Sequence, residues 1–172
     1  MLLKLVASAA VSLGMVGLGT PAAAAEFYLL SANDNQIVVA DRLQVNPGRT
    51  PNQMRGWVIY IRRSFEIQGE AVGYTSSLQE FDCVNRQFRT ISMQFHRLDG
   101  SLINGSDQEL AWMHVEPDTM GDAALQFACL QATSVNPFLR LGDGSALSWM
   151  TSIRRGPWPT TPEAQAEVGA RR

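Results

Sequence analysis

The chain has 172 residues, a formal charge of −2, and 45% hydrophobic against 17% charged side chains. So even a balance argues against a nucleic-acid binder, which needs a clustered basic excess. No stretch after the first 25 residues is long and apolar enough to span a bilayer, which excludes an integral membrane segment in the rest of the chain.

Residues 1–25 read as an export signal. Lys4 gives the positive start, Leu5 to Gly19 the apolar run, and Ala22 to Ala25 the small residues of a cleavage site. The run is shorter than the roughly 20 residues of a membrane anchor and ends in Pro21. No cysteine follows it to carry a lipid. The expected product is therefore exported, periplasmic or secreted, and not lipid-anchored. Cleavage leaves 172 − 25 = 147 residues, and the formal charge moves to −3 because Lys4 leaves and no acid does. That length suits one domain. Lys4 is the only lysine, so the mature cations are 14 − 1 = 13 arginines; genomic base composition accounts for this bias better than function does.

Glu26 to Leu30 reads as a first strand, and Asn33-Asp34-Asn35 as a turn. Gln36 to Val45 alternates, with Ile37, Val39, Leu43 and Val45 on one face and Asp41 interrupting; Pro47-Gly48 ends it. Trp57 to Ile67 is a half-buried antiparallel strand by pattern: Trp57, Ile59, Ile61, Phe65 and Ile67 oppose Tyr60, Arg62, Ser64 and Glu66. A weaker strand covers Ala71 to Asp82, loosened by Gly69 and Gly73. From Arg86 to Leu98, Ile91, Met93 and Phe95 point one way, and Thr90, Ser92, Gln94 and His96 the other. Asp99-Gly100 is a hairpin signal returning through Ser101 to Ile103, with Asn104-Gly105 ending the return. Trp112 to Val115 is one more extended piece. Pro117, Asp118 and Asp122 suit a helix start. That helix runs from Asp118 or Thr119 to Ala132, with Gly121, Leu125, Ala128, Cys129 and Ala132 close together on the wheel. Strands first and one helix last imply an α+β fold, an antiparallel sheet with the helix on one face. Asn136-Pro137 and Gly142-Asp143-Gly144 are punctuation, and Ser145 to Arg155 is a short amphipathic piece available to cover the sheet. Residues 156–172, rich in proline, read as a disordered tail.

Two cysteines in an exported chain, Cys83 and Cys129, favour a disulfide over a metal site or redox use; two buried free thiols are the plainer alternative. There is no Cys-x-x-Cys. His96 and His114, the only histidines, would need Asp99 or Glu116 as further zinc ligands, without diagnostic spacing, so no metal or cofactor is expected. The acid pairs Glu80/Asp82 and Asp107/Glu109 fall in turn or edge regions, where acids are ordinarily solvated. Gly142 to Ala146 is not a nucleophile elbow, and no phosphate loop exists. An enzyme is not expected. Arg62, Arg63, Arg86, Arg89 and Arg97 would make a basic stripe if their strands are neighbours, Arg89 and Arg97 at the rims of an apolar face. The competing reading is surface ion pairing.

Phe81-Asp82-Cys83, the basic and aromatic residues Arg86 to Arg89, Asp99-Gly100, the lone Trp112, the proline-led helix to Ala128-Cys129 and the Trp57 strand resemble the bacterial surface-adhesin protein E-like family. The resemblance covers roughly residues 26–132. It implies an antiparallel sheet with a C-terminal helix tethered by a disulfide, and a non-catalytic protein that binds host extracellular-matrix proteins. This chain departs from the pattern in having no lipid-bearing cysteine and no lysine in its mature part. The expected organisation is a signal (1–25), a sheet-plus-helix domain (26–132), an extension that either packs on it or does not (133–155), and a tail (156–172). The expected role is exported binding of a protein ligand. The alternative is a periplasmic binding or inhibitor module acting on a cell-envelope component. Nothing in the sequence selects an oligomeric state.

Overall fold

The computed structural model describes residues 25–130 and 138–143. The expected signal, the helix end at Ala132, the Ser145–Arg155 piece and the tail lie outside these residues, apart from Ala25. In chain order the elements are β1 (Glu26–Ala32), β2 (Gln36–Asp41), a 3-10 turn (Arg42–Gln44), β3 (Asn46–Pro47), β4 (Gln53–Arg62), β5 (Glu66–Ile67) and β6 (Glu70–Ala71). There follow β7 (Tyr74–Asp82), β8 (Gln87–His96), β9 (Leu102–Ser106), β10 (Met113–His114), helix α1 (Met120–Cys129) and β11 (Leu139–Asp143). Nine strands form one sheet in the order β10-β8-β7-β4-β2-β1-β11, with β3 also paired to β4 and β9 to β8; β5 and β6 make a separate hairpin. Every pairing is antiparallel. The chain thus adopts the expected antiparallel sheet with one helix on a face, tethered by a disulfide.

The half of the sheet built from β1, β2 and β4 is buried on both faces. Tyr28, Leu30, Val38, Ala40 and Val58 meet the helix side, while Phe27, Leu29, Ile37, Val39, Ile59 and Ile61 join Leu141 of β11 on the other. A strand covered on both sides has no solvated face to keep polar, so Ile37-Val38-Val39-Ala40 is continuously apolar. For the same reason β4 is not the half-buried strand its alternation suggests: Val58 and Ile61 are both buried. Each such side chain contributes about 1.5–3 kcal/mol, which makes this half the rigid seat of the fold. Asp41 ends β2 instead of interrupting a longer strand. Its Oδ1 accepts from the Glu26 and Leu43 backbone N–H groups at 2.9 and 3.0 Å, capping the 3-10 turn. Leu43 therefore leaves the sheet face and is 47% exposed.

The β7–β8 pair carries the feature that strict alternation misses. Gln79 lies opposite Thr90 and Leu78 opposite Ser92, so β8 has one extra residue there, a bulge. Thr90 therefore shares the helix-side face with Met93 and Phe95, and Arg89 faces the other side with Ser92 and Gln94. At the far end Gly73 lets β7 start against the β8–β9 corner. A Cβ on Gly73 would come within 2.7 Å of the Arg97 carbonyl and the Leu98 nitrogen, all backbone atoms that cannot swing aside. Gly73→Ala is expected to destabilise the protein by about 1–3 kcal/mol, as overpacking does, measured as a lower urea midpoint. Gly100 adopts φ 88 in the β8–β9 hairpin, and β9 runs on through Asn104-Gly105 instead of stopping there, Gly105 pairing with Gln94.

Helix α1 begins at an N-cap, Thr119, whose hydroxyl accepts from the Asp122 N–H at 3.2 Å. Ala124, Leu125, Phe127 and Ala128 form its buried face against Tyr28, Val58 and Phe81. Small residues at 121, 124 and 128 permit the close approach: a Cβ on Gly121 would touch the Phe88 ring at 3.7 Å. Gly142 and Asp143, punctuation by sequence, belong to β11, which pairs along β1.

Candidate functional site

Helix α1 is held at both ends. Cys129 bonds to Cys83, which follows β7 directly, with the Cα atoms 5.7 Å apart. At the other end Asp122 receives Arg86 Nη2 at 2.6 Å, together with the Asp118 N–H and Gln126 Nε2. Burial pushes the Asp122 carboxyl up, but these three donors, Arg86 first, outweigh it and hold it below its usual value. Arg86 stands in the β7–β8 turn at φ 51, and Asp82 fixes that turn by accepting from the Val84 and Asn85 N–H groups. One four-residue turn therefore carries both the cysteine and the arginine that anchor the helix.

On the sheet face away from the helix, Glu80 is fully buried. Its Oε1 receives Arg55 Nη2 at 3.0 Å and its Oε2 receives Arg89 Nε at 2.9 Å, while the Arg49 N–H approaches at 3.3 Å. Arg89 also pairs with Glu109, which takes a two-pronged bond from Arg49 at 2.8 and 3.1 Å. The Arg89 guanidinium lies 4.5 Å from the Trp112 ring centre. Burial raises the Glu80 carboxyl, yet the hydrogen bonds from Arg89 and Arg55 keep it below its usual value. This chain of charges ties the 48–52 and 107–112 loops to β4, β7 and β8.

Among the described residues nothing covers the helix-side face towards β8, and there a cleft of about 260 Å3 opens. Its base is Tyr60 of β4, Thr75 and Gln79 of β7, and Thr90 of β8, with Gln79 Nε2 donating to the Tyr60 hydroxyl at 2.8 Å. Phe88, Met93 and Phe95 line it along β8; Leu110 and Met113 stand at the rim, and Arg62 at the mouth. The bulge makes this cleft, because without it Thr90 and Met93 would face opposite sides of the sheet.

The sequence profile of the family described as Surface-adhesin protein E matches residues 27–130, which is β1 through the end of α1. The chain belongs to the surface-adhesin protein E family. Comparison with curated proteins gives no match. The matched span of this adhesin-E chain holds the helix, its disulfide and the strands of the main sheet other than β11, with the cleft and the Glu80 network inside it.

In this surface-adhesin E member four of the five arginines singled out by sequence, Arg62, Arg86, Arg89 and Arg97, occupy separate surroundings. Arg62 donates to Gln36 Oε1 at 3.0 Å and lies over Phe65; Arg86 holds Asp122; Arg89 holds Glu80 and Glu109; Arg97 pairs with Glu70 and donates to the Leu102 carbonyl at 3.1 Å. Register places Arg86 and Arg89 at one end of β8 and Arg97 at the other. His96 stacks on Tyr74 at 4.4 Å and contacts the Ser76 hydroxyl, whereas His114 is exposed on β10. Among the described residues no three His, Cys, Asp or Glu side chains gather as metal ligands. At this network sequence reasoning misplaced Glu80, expected at a solvated edge and found buried. Its three arginine partners come from three separate segments, so only the strand register reveals them.

Proposed function

We propose that this protein is exported and works by binding a polypeptide ligand, holding it against the helix-side cleft without catalysing a reaction. Membership of the surface-adhesin protein E family carries this reading. The electrostatics support it. Glu80 and Asp122, the buried carboxylates with lowered titration, are engaged by arginines that fasten elements together and do not converge on the cleft. Of these four arginines Arg62 lines the cleft, where a ligand would meet it; Arg86, Arg89 and Arg97 fasten Asp122, Glu80 with Glu109, and Glu70. The ligand is an extracellular-matrix or cell-envelope protein.

The test is cell fractionation with surface labelling, followed by titration of residues 26–172 onto immobilised matrix proteins. Surface exposure and saturable binding that weakens at least about tenfold in Leu110→Arg is the expected result. Retention wholly in the periplasm would replace this reading with a periplasmic binding or inhibitor module. Turnover of a substrate by the purified chain would sink it.

A further inference from the structure

The cleft is not uniformly apolar, and its mixture specifies an occupant. Phe88, Met93, Phe95 and Met113 give it ring-sized apolar walls, two of them pliable thioethers that pack well against aromatic rings. Its base is hydroxylic. Thr75 and Thr90, 6% and 4% exposed, both line it. The Tyr60 oxygen accepts from Gln79, which leaves its own proton for an acceptor. Between Thr75 and Gln79 on β7, the Ser77 hydroxyl is fully buried outside the lining and has no hydrogen-bond partner among the described residues. A group that enters this space must be about one ring in size and must bring a hydrogen-bonding tip, since a purely aliphatic one would strand these hydroxyls away from water. Burial pushes the Tyr60 hydroxyl's titration up against the opposing effects of Gln79 and Arg62; the base is desolvated, and a neutral tip pairs with its hydroxyls without the cost of burying a charge. At the rim Leu110 and Met113 are 43% and 42% exposed, apolar surface that a polypeptide lying across the mouth would cover.

We propose that the cleft receives a single tyrosine side chain of the partner polypeptide, its ring between Met93, Met113 and Phe88 and its hydroxyl against Tyr60, Thr75 and Thr90. The polypeptide source rests on the binding-protein reading above; the chemistry of the cleft does not. The test uses the chain with methyl-labelled methionines, titrated separately with N-acetyl-tyrosine amide, N-acetyl-phenylalanine amide and N-acetyl-leucine amide. The Met93 and Met113 methyl signals are expected to shift saturably, with the tyrosine probe bound about three- to tenfold more tightly than the phenylalanine probe, the worth of one neutral hydrogen bond. The near-isosteric pair Thr75→Val and Thr90→Val should reduce that preference, leaving only what the Tyr60 hydroxyl supplies. Should this variant fail to fold, Met113→Ala at the exposed rim is expected to weaken the tyrosine probe about threefold or more. Equal affinity for all three probes, or no saturable shift at Met93 and Met113, overturns the proposal. These titrations need no natural partner, so the cleft can fail while surface binding stands, and the reverse.

Discussion

Replacing both cysteines with serine is expected to cost about 4 kcal/mol of unfolding free energy. Cys83 and Cys129 are 46 residues apart in sequence, and a bond that closes a loop of that length removes most of its advantage from the unfolded chain, where the loop would otherwise wander. There is a local part as well. The ten residues of Met120–Cys129 are fewer than the 12–15 at which an isolated helix becomes even marginal in water. Packing of Leu125, Phe127 and Ala128 then has to hold it against fraying, with Arg86–Asp122 left as the second anchor. Urea unfolding measures the whole cost, and amide exchange separates its parts. A loss carried by the unfolded state lowers the protection of core strands β2 and β4 together with the helix. A loss confined to helix undocking lowers protection only over 120–129. A midpoint unchanged to within about 0.5 kcal/mol would mean that packing alone fixes the helix.

The clasp was legible in the sequence for a physical reason: two cysteines permit one pairing, and a proline-led segment with Asp118 and Asp122 at the start of an apolar, small-residue face specifies a helix locally. Much of the strand set was also readable, because alternation depends on neighbours in the chain, but the strand read over Trp57 to Ile67 runs instead from Gln53 to Arg62, and Glu66–Ile67 forms a separate hairpin. What local pattern cannot show is which strand lies beside which. Strict alternation put Thr90 opposite Met93, and a single extra residue across from Gln79 reversed that, so the cleft could not be foreseen. The same gap hid Glu80. Its neighbours on either side in sequence are unremarkable, and its three arginine partners are supplied by β4, β8 and the 48–52 loop. The basic stripe met the same limit from the other side: the residues lie on strands near one another, but partners from elsewhere decide what each guanidinium does. Gly142-Asp143 has turn composition and still extends the sheet, because β1 offers it a backbone edge to pair with.

Glu80→Ala is expected to destabilise the protein by about 3–5 kcal/mol, the cost of breaking a buried ion pair from one side. The lower end fits better, because Arg55 is 32% exposed and Arg89 keeps Glu109 as a partner. Arg89, only 14% exposed, bears most of the loss, and Arg55 already has a buried Nε without a hydrogen-bond partner among the described residues. Glu80→Gln keeps the size and one acceptor, so it should cost less than Glu80→Ala. The pH dependence separates charge from packing. Folding lowers the Glu80 pKa despite the opposing effect of burial, so at low pH the unfolded chain binds more protons at this site than the folded one. Its stabilising contribution is therefore complete above the unfolded carboxylate value of about 4.3 and is lost as pH falls from there through the lower folded value. Asp122 behaves in the same direction and is common to wild type and variant, so the difference between them isolates Glu80. Urea midpoints at about pH 7, 5, 4 and 3 should show the gap between wild type and Glu80→Gln steady over the first two and shrinking below. Parallel curves down to pH 3 would mean that the carboxylate's charge contributes nothing and that Glu80 acts through its shape alone.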